Sequence, residues 1–166
     1  MKFKAFMTET GVNLLEKRFI PSLEKTAKTC HLYFTKTHTL FLHNLLNGDG
    51  IQSIAQFTNQ LLFDDFKISS QNDDRIAFLI DLSLLLRALR SSVAVCSDYN
   101  RLQIKLVKKV NQNCTVAMPF LTFETRGFKS AVIQDIPISK PLSRAQVVEL
   151  QNALDMAQDI PQTLIQ

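Results

Sequence analysis

The sequence contains no apolar stretch approaching the roughly 20 residues that a bilayer span needs, because the leucine-rich run Leu84-Leu85-Leu86 is cut short by Arg87. It also has no apolar signal-peptide core, since Met1-Lys2-Phe3-Lys4-Ala5-Phe6 alternates polar and apolar residues before running into polar sequence. A soluble chain without secretory targeting is expected. Cysteine is scarce: Cys30, Cys96 and Cys114 are odd in number and show no CxxC spacing, which speaks against a disulfide framework or a zinc site and for a reducing compartment, the nucleus or cytosol. The formal glycosylation triplet Asn113-Cys114-Thr115 carries no weight without a secretory signal.

Catalytic patterns are missing too. His31, His38 and His43 form no HExxH, and there is no GxSxG, P-loop or dinucleotide fingerprint. Asp64 and Asp65 fall in an expected strand, where neighbouring side chains point to opposite faces and do not easily share a metal. Asp73 and Asp74 fall in an expected loop and suit a solubilising role. With no nucleophile, base or metal cluster to assemble, the expectation is a protein without enzymatic chemistry and without a cofactor.

What is present is enough apolar sequence, 46% of 166 residues, to bury a continuous core in one domain of ordinary size. A net charge of +4 and a pI near 9.1 favour an anionic partner, but an excess this small acquires meaning only from where the cations sit.

Val12, Leu15, Phe19, Leu23 and Ala27 recur at steps of three and four, predicting a helix from about Thr10 to Lys28 with a kink or break near Ile20 caused by Pro21. A second, short helix is expected after Asp81 as N-cap, with Leu82, Leu85, Ala88 and Leu89 on one side and Ser91-Ser92 weakening its end. Strands are expected over Lys2–Thr8, Cys30–Thr35, Thr39–Leu45, Ile51–Phe57, Leu61–Ile68, Arg75–Ile80, Arg101–Lys108, Thr115–Glu124 and Phe128–Ile138. Asn47-Gly48-Asp49-Gly50 suits a tight hairpin and Gln71–Asp74 a polar loop. In order, strand, helix and several strands occur twice, which implies a repeated α+β architecture.

Helical winding places Lys17 and Lys28 nearly opposite Phe19, flanked by Arg18 and Lys25, and places Arg87 and Arg90 opposite Leu85. These cations suit phosphate contacts that hold a duplex without reading its bases. The same pattern describes the solvated side of an ordinary amphipathic helix, and Glu16 and Glu24 weaken the positive field. From Lys140-Pro141 the composition becomes polar and mildly acidic, with helix-forming residues from Gln146 to Gln158, then Ile160-Pro161. This stretch is expected to be a connector, with Gln162–Gln166 the first strand of a second domain that is cut off.

Four segments, Met1-Lys2-Phe3-Lys4-Ala5, Arg87-Ala88-Leu89, Leu102-Gln103-Ile104-Lys105-Leu106 and Asp135-Ile136-Pro137-Ile138, resemble in collinear order the Hus subunit of the checkpoint sliding clamp, the nine-one-one heterotrimer. Phe41–Gln56 and Ser69–Phe78 look most like plant members. The resemblance implies an α+β fold like that of proliferating cell nuclear antigen: two similar domains per subunit, three subunits in a ring, strands outside and helices lining the hole around DNA. On it, residues 1–138 would be the N-terminal clamp domain, 139–161 the interdomain connector and 162–166 the start of the missing domain. Lys17, Arg18, Lys25, Lys28, Arg87 and Arg90 would face double-stranded DNA.

The implied partners are the two Rad subunits, a clamp loader and repair or checkpoint factors, with the nucleus as the site of action and no membrane contact. The strand Phe128–Ile138 would pair with a neighbouring subunit, making Ile133, Ile136 and Ile138 partner contacts. Ile51–Phe57 would pair with the subunit's own second domain, so that an isolated chain is expected to self-associate through the edge left open. A rival reading is a protein-interaction scaffold without DNA contact, docking a partner peptide at the Leu45-Leu46 loop and the stretch Val147–Met156.

Overall fold

A computed structural model describes residues 1–46, 50–95, 102–110, 112–113, 115–126 and 131–158. The expected turn at Asn47-Gly48-Asp49, the positions of Cys96, Cys114 and Arg101, the strand start at Phe128 and the closing stretch Gln162–Gln166 lie outside the described residues.

Alternating sequence builds the first strand, β1 (Lys2–Met7), whose Phe3, Ala5 and Met7 turn inward. It sits within a five-stranded antiparallel sheet ordered β5-β1-β7-β8-β9, with β5 Phe63–Ser69, β7 Leu102–Val110, β8 Ala117–Arg126 and β9 Ala131–Pro137. A four-stranded antiparallel sheet runs β4-β3-β2-β6, with β2 Thr29–Phe34, β3 His38–His43, β4 Ser53–Thr58 and β6 Ile76–Asp81. The sheets meet through the bridge Ile80↔Ile138 and across a stack of Phe3 on Phe34, ring centroids 4.2 Å apart. The repeat of strand, helix and three strands holds, with β5 as an added strand between the halves.

The first helix is continuous but not uniform: α1 (Glu9–Asn13), a π-helical segment (Leu14–Phe19) and α2 (Ile20–Glu24) follow without a break. Pro21 has no N–H for the Lys17 carbonyl, and the helix runs on through a widened π-helical turn instead of breaking. The Ile20 N–H donates to the Leu15 carbonyl five residues back, and the Ser22 hydroxyl donates to the Arg18 carbonyl at 2.9 Å. The widened turn shifts the helical phase, so the buried positions are Gly11, Leu15, Ile20, Leu23 and Ala27, with one step of five. Val12 and Phe19, expected on the buried face, are only half-buried. The helix stops at Glu24, so Lys28 lies in the link to β2 and not on the helix.

Gly11 is required where α1 meets α3 (Asn59–Leu62), a helical turn that replaces the expected start of a strand at Leu61. A Cβ there would lie 2.5 Å from the Leu62 carbonyl oxygen.

The helix α4 (Leu82–Val95) opens as expected, with the Leu84 N–H donating to the Asp81 carboxylate at 3.1 Å. It runs through Ser91-Ser92, because the buried Ser92 hydroxyl donates to the Ala88 carbonyl at 2.7 Å and so has its partner inside the helix. The expected alternation at Asp64-Asp65 also fails. Lys4 opposes Lys67 and Phe6 opposes Asp64, which leaves an extra residue on β5, and Asp65 takes φ 50°, so both carboxylates are exposed.

One apolar cluster joins both sheets with Leu15, Ile20, Leu23, Leu85 and Leu89 of the helices. A second lies on the other face of the four-stranded sheet, where Val147, Leu150 and Leu154 of α5 (Arg144–Gln158) cover Tyr33, Leu40, Leu42, Leu45 and Ala77. The Tyr33 hydroxyl donates to Gln151 Oε1 at 2.6 Å under this helix. The chain leading to α5 closes the β6 edge: Ser139 N–H reaches the Leu79 carbonyl at 3.1 Å and Leu142 N–H the Ala77 carbonyl at 2.9 Å. Among the described residues, the outer edges of β4, β5 and β9 pair with no strand.

Candidate nucleic-acid interface

The two helical elements lie side by side because both need their apolar stripe in the same core. Ser83 at the start of α4 donates to Glu24 Oε1 at 2.8 Å, and Arg90 Nε lies 3.7 Å from Glu16 Oε1 on the π-helical segment. Their outer sides therefore form one surface. Lys17, Arg18, Lys25, Lys28, Arg87 and Arg90 are all exposed. Lys17 and Arg18 stand in the last turn of the π-helical segment and border an open basin of about 550 Å³ with Thr10, Asn13, Leu14 and Leu61. Lys25 follows the last residue of α2, and the Lys28 carbonyl accepts the Leu82 N–H at 3.0 Å, which fixes that link beside the α4 N-terminus.

Two of the six differ from the expectation. Lys28 is held by the link instead of a helical face, and the exposed Arg90 shares its charge with the largely buried Glu16 across a long 3.7 Å contact that lowers the local positive field. Arg87 has no ion-pair partner among the described residues. The arrangement offers spaced, exposed cations on one helical layer, a pattern of the kind that contacts a phosphate backbone.

The expected partner residues divide sharply. Ile133 is 57% exposed and Leu46 is exposed, but Leu45 is buried under α5, and Ile136 and Ile138 are buried in the core. Strand alternation explains Ile136, which faces inward, while Ile138 sits at the bridge between the sheets. What β9 offers a neighbour is its free backbone edge and Ile133. Sequence reasoning missed how β9 is anchored: Gln134 Nε2 donates to the Ala88 carbonyl and lies 3.2 Å from Ser92 Oγ, a link visible only once α4 and β9 are side by side.

The remaining titratable groups are structural in their surroundings. Burial pushes the Cys30 thiol up to about 12, keeping it protonated and unreactive. Burial also lowers His31. Asp74 is held below the ordinary aspartate range by the Ser70 N–H and by Lys36, 3.1 Å away, in the turn that the sequence marked as polar. Among the described residues no three His, Cys, Asp or Glu side chains come together as metal ligands, and no helix is long and apolar enough to cross a membrane.

A family model described as Hus1-like protein matches residues 1–165. The "Checkpoint protein hus1 homolog" of Dictyostelium discoideum is 29% identical over 94 residues, which cover 57% of this chain and 34% of that relative, so the matched stretch spans about a third of the relative's length. With the family matched along nearly the whole sequence, and with two antiparallel sheets backing a pair of helices, the chain belongs to the Hus1-like protein family and its fold is that of a sliding-clamp domain.

Proposed function

We propose that the protein is a subunit of a heterotrimeric checkpoint clamp that encircles double-stranded DNA in the nucleus and serves damage signalling and repair without catalysing a reaction. Family membership supports the clamp role. The observation that carries the DNA contact is the joined outer surface of the two helical elements, with Lys17, Arg18, Lys25 and Arg87 exposed and none paired with a carboxylate among the described residues. Such cations attract the phosphate backbone through charge and counterion release, with no dependence on base sequence. Closure of a ring would supply retention, so each contact can stay weak enough to slide. The two Rad subunits would complete the ring, the free β9 edge being suited to strand pairing with one of them, and a clamp loader and repair or checkpoint factors would act on the assembled clamp.

The test uses the full-length subunit assembled with both partners on closed circular DNA. Lys17→Glu with Arg87→Glu is expected to shorten retention and flatten its salt dependence, since each lost phosphate contact removes roughly 0.9 from the slope of log affinity against log salt. Unchanged retention and slope at low and moderate salt would refute the assigned role of this surface. A scaffold without DNA contact is the competing reading; it retains exposed Leu46, Val148 and Met156 as apolar contacts but loses Leu45 to the core.

A further inference from the structure

On the face of the five-stranded sheet turned away from the core, lysines line up across three strands. Lys4 of β1 is registered directly opposite Lys67 of β5 on one side and Lys105 of β7 on the other. Lys2 points the same way two residues along β1. The row crosses two strand spacings, roughly 10 Å in all. Lys105 is held by Glu124 at 3.3 Å, whereas Lys2, Lys4 and Lys67 are exposed and have no carboxylate partner among the described residues.

Like charges placed directly opposite one another across strands repel, so this row works against the sheet that carries it. A lysine on an edge strand has a protective use in discouraging unwanted strand pairing, which accounts for Lys67 alone. Lys4 and Lys105 are on interior strands, where that use does not exist.

We propose that this row is a docking site for a short acidic segment of a partner protein, two or three carboxylates long. Charge complementarity names the occupant and the surroundings limit its length. Asp64 shares this face beside the row at one end, and Glu124 and Asp135 lie at the other. Glu124 and Asp135 are engaged by Lys105 and Lys109, so the uncompensated positive charge is confined to Lys2, Lys4 and Lys67, a patch that matches a compact acidic cluster and offers no continued basic path to a nucleic acid strand crossing the whole sheet. Phe6, half-buried beside Asp64, offers an apolar contact to a residue flanking the carboxylates. The site is independent of the helical surface assigned above.

The experiment measures fluorescence anisotropy of a labelled peptide carrying three consecutive glutamates flanked by glycine and serine, titrated with the 166-residue chain at low salt, beside the same peptide with glutamines. The glutamate peptide is expected to bind and the glutamine peptide not to. Lys4→Glu with Lys67→Glu should weaken binding at least tenfold, and Lys17→Glu with Arg87→Glu should leave it unchanged. Lys4→Gln with Lys67→Gln, a milder pair, should give an intermediate loss, and cooperative unfolding with denaturant midpoints no lower than that of the unsubstituted chain shows that all variants fold. Absence of glutamate-dependent binding, equal binding by the double Glu variant, or loss of binding through the helical variants would each overturn the proposal. So would duplex DNA that binds in a manner dependent on Lys4 and Lys67, because the row would then be a nucleic-acid surface.

Discussion

The outer faces of the two sheets are opposites. That of the four-stranded sheet is apolar and covered, with Tyr33, Leu40, Leu42 and Ala77 buried beneath α5. That of the five-stranded sheet is charged and open, with Lys2, Lys4 and Lys67 in solvent and an ordered group around Thr122, where Asp135 accepts from Lys109 at 2.6 Å and from Thr122 at 2.7 Å. The strands already differ in composition. β1 alternates, so one face suffices for its apolar residues, whereas β2, β3 and β6 carry near-continuous apolar runs that must be buried on both sides. A sheet of the second kind is incomplete without a covering layer, and α5 supplies it.

The largest expected effect comes from breaking that cover. Leu150→Ala removes a fully buried side chain between α5 and the sheet and should lower unfolding free energy by about 2–5 kcal/mol, read from the urea midpoint. A loss under about 1 kcal/mol would show that α5 is only loosely attached, and that the two outer faces are less different than their burial indicates.

On the open sheet, Asp135→Asn should cost no more than about 1 kcal/mol near neutral pH. Partial burial raises the Asp135 carboxyl, but hydrogen bonds from Lys109 and Thr122 and the charges of Lys109 and Lys105 outweigh it, so its folded value lies below the ordinary one. A lowered value means that the stabilisation is complete above the unfolded-state pKa and disappears as pH falls through the folded one. The difference between the native protein and Asp135→Asn is therefore expected to narrow as pH drops below the ordinary aspartate range. A difference constant from pH 7 to pH 3 would show that the pair contributes nothing through charge.

The smallest effect sharpens the contrast by its sign. Lys4→Thr removes the central member of a like-charged row and introduces a residue that favours strands, so stability should stay level or rise by about 0.2–1 kcal/mol. A clear loss in thermal unfolding would mean that the Lys4 stem supports the sheet in a way its charge conceals.

Much of the fold was legible because its signals are short in range. Alternation marked β1 and β7 to within a residue or two of their ends, Asp81 marked the start of α4, and spacing found the helix after β1. Errors arose where one interaction altered the local count. The π-helical turn ahead of Pro21 moved Ile20 inward and left Phe19 half-buried, while in α1 the buried position is Gly11 and Val12 is only half-buried. The Asp65 bulge undid the alternation expected of Asp64 and Asp65, and Ser92 stayed helical through a hydrogen bond that a polar pair in sequence does not announce. At the candidate interface the exposure of Lys17, Arg18, Lys25, Arg87 and Arg90 could be anticipated from helical winding, but the place of Lys28 in the link to β2 and the pairing of Arg90 with Glu16 could not, the latter because it depends on how two helices far apart in sequence lie together.

By itself the amino-acid order determined which segments become strands or helices, and that cations occupy the polar sides of the helices, because both follow from the periodicity of neighbouring residues. Tertiary structure alone decided that α5 is what covers the four-stranded sheet, that Leu45, Ile136 and Ile138 are buried, and that Lys67, Lys4 and Lys105 stand in one row. Register and coverage are contacts between residues distant along the chain, and no local period encodes them.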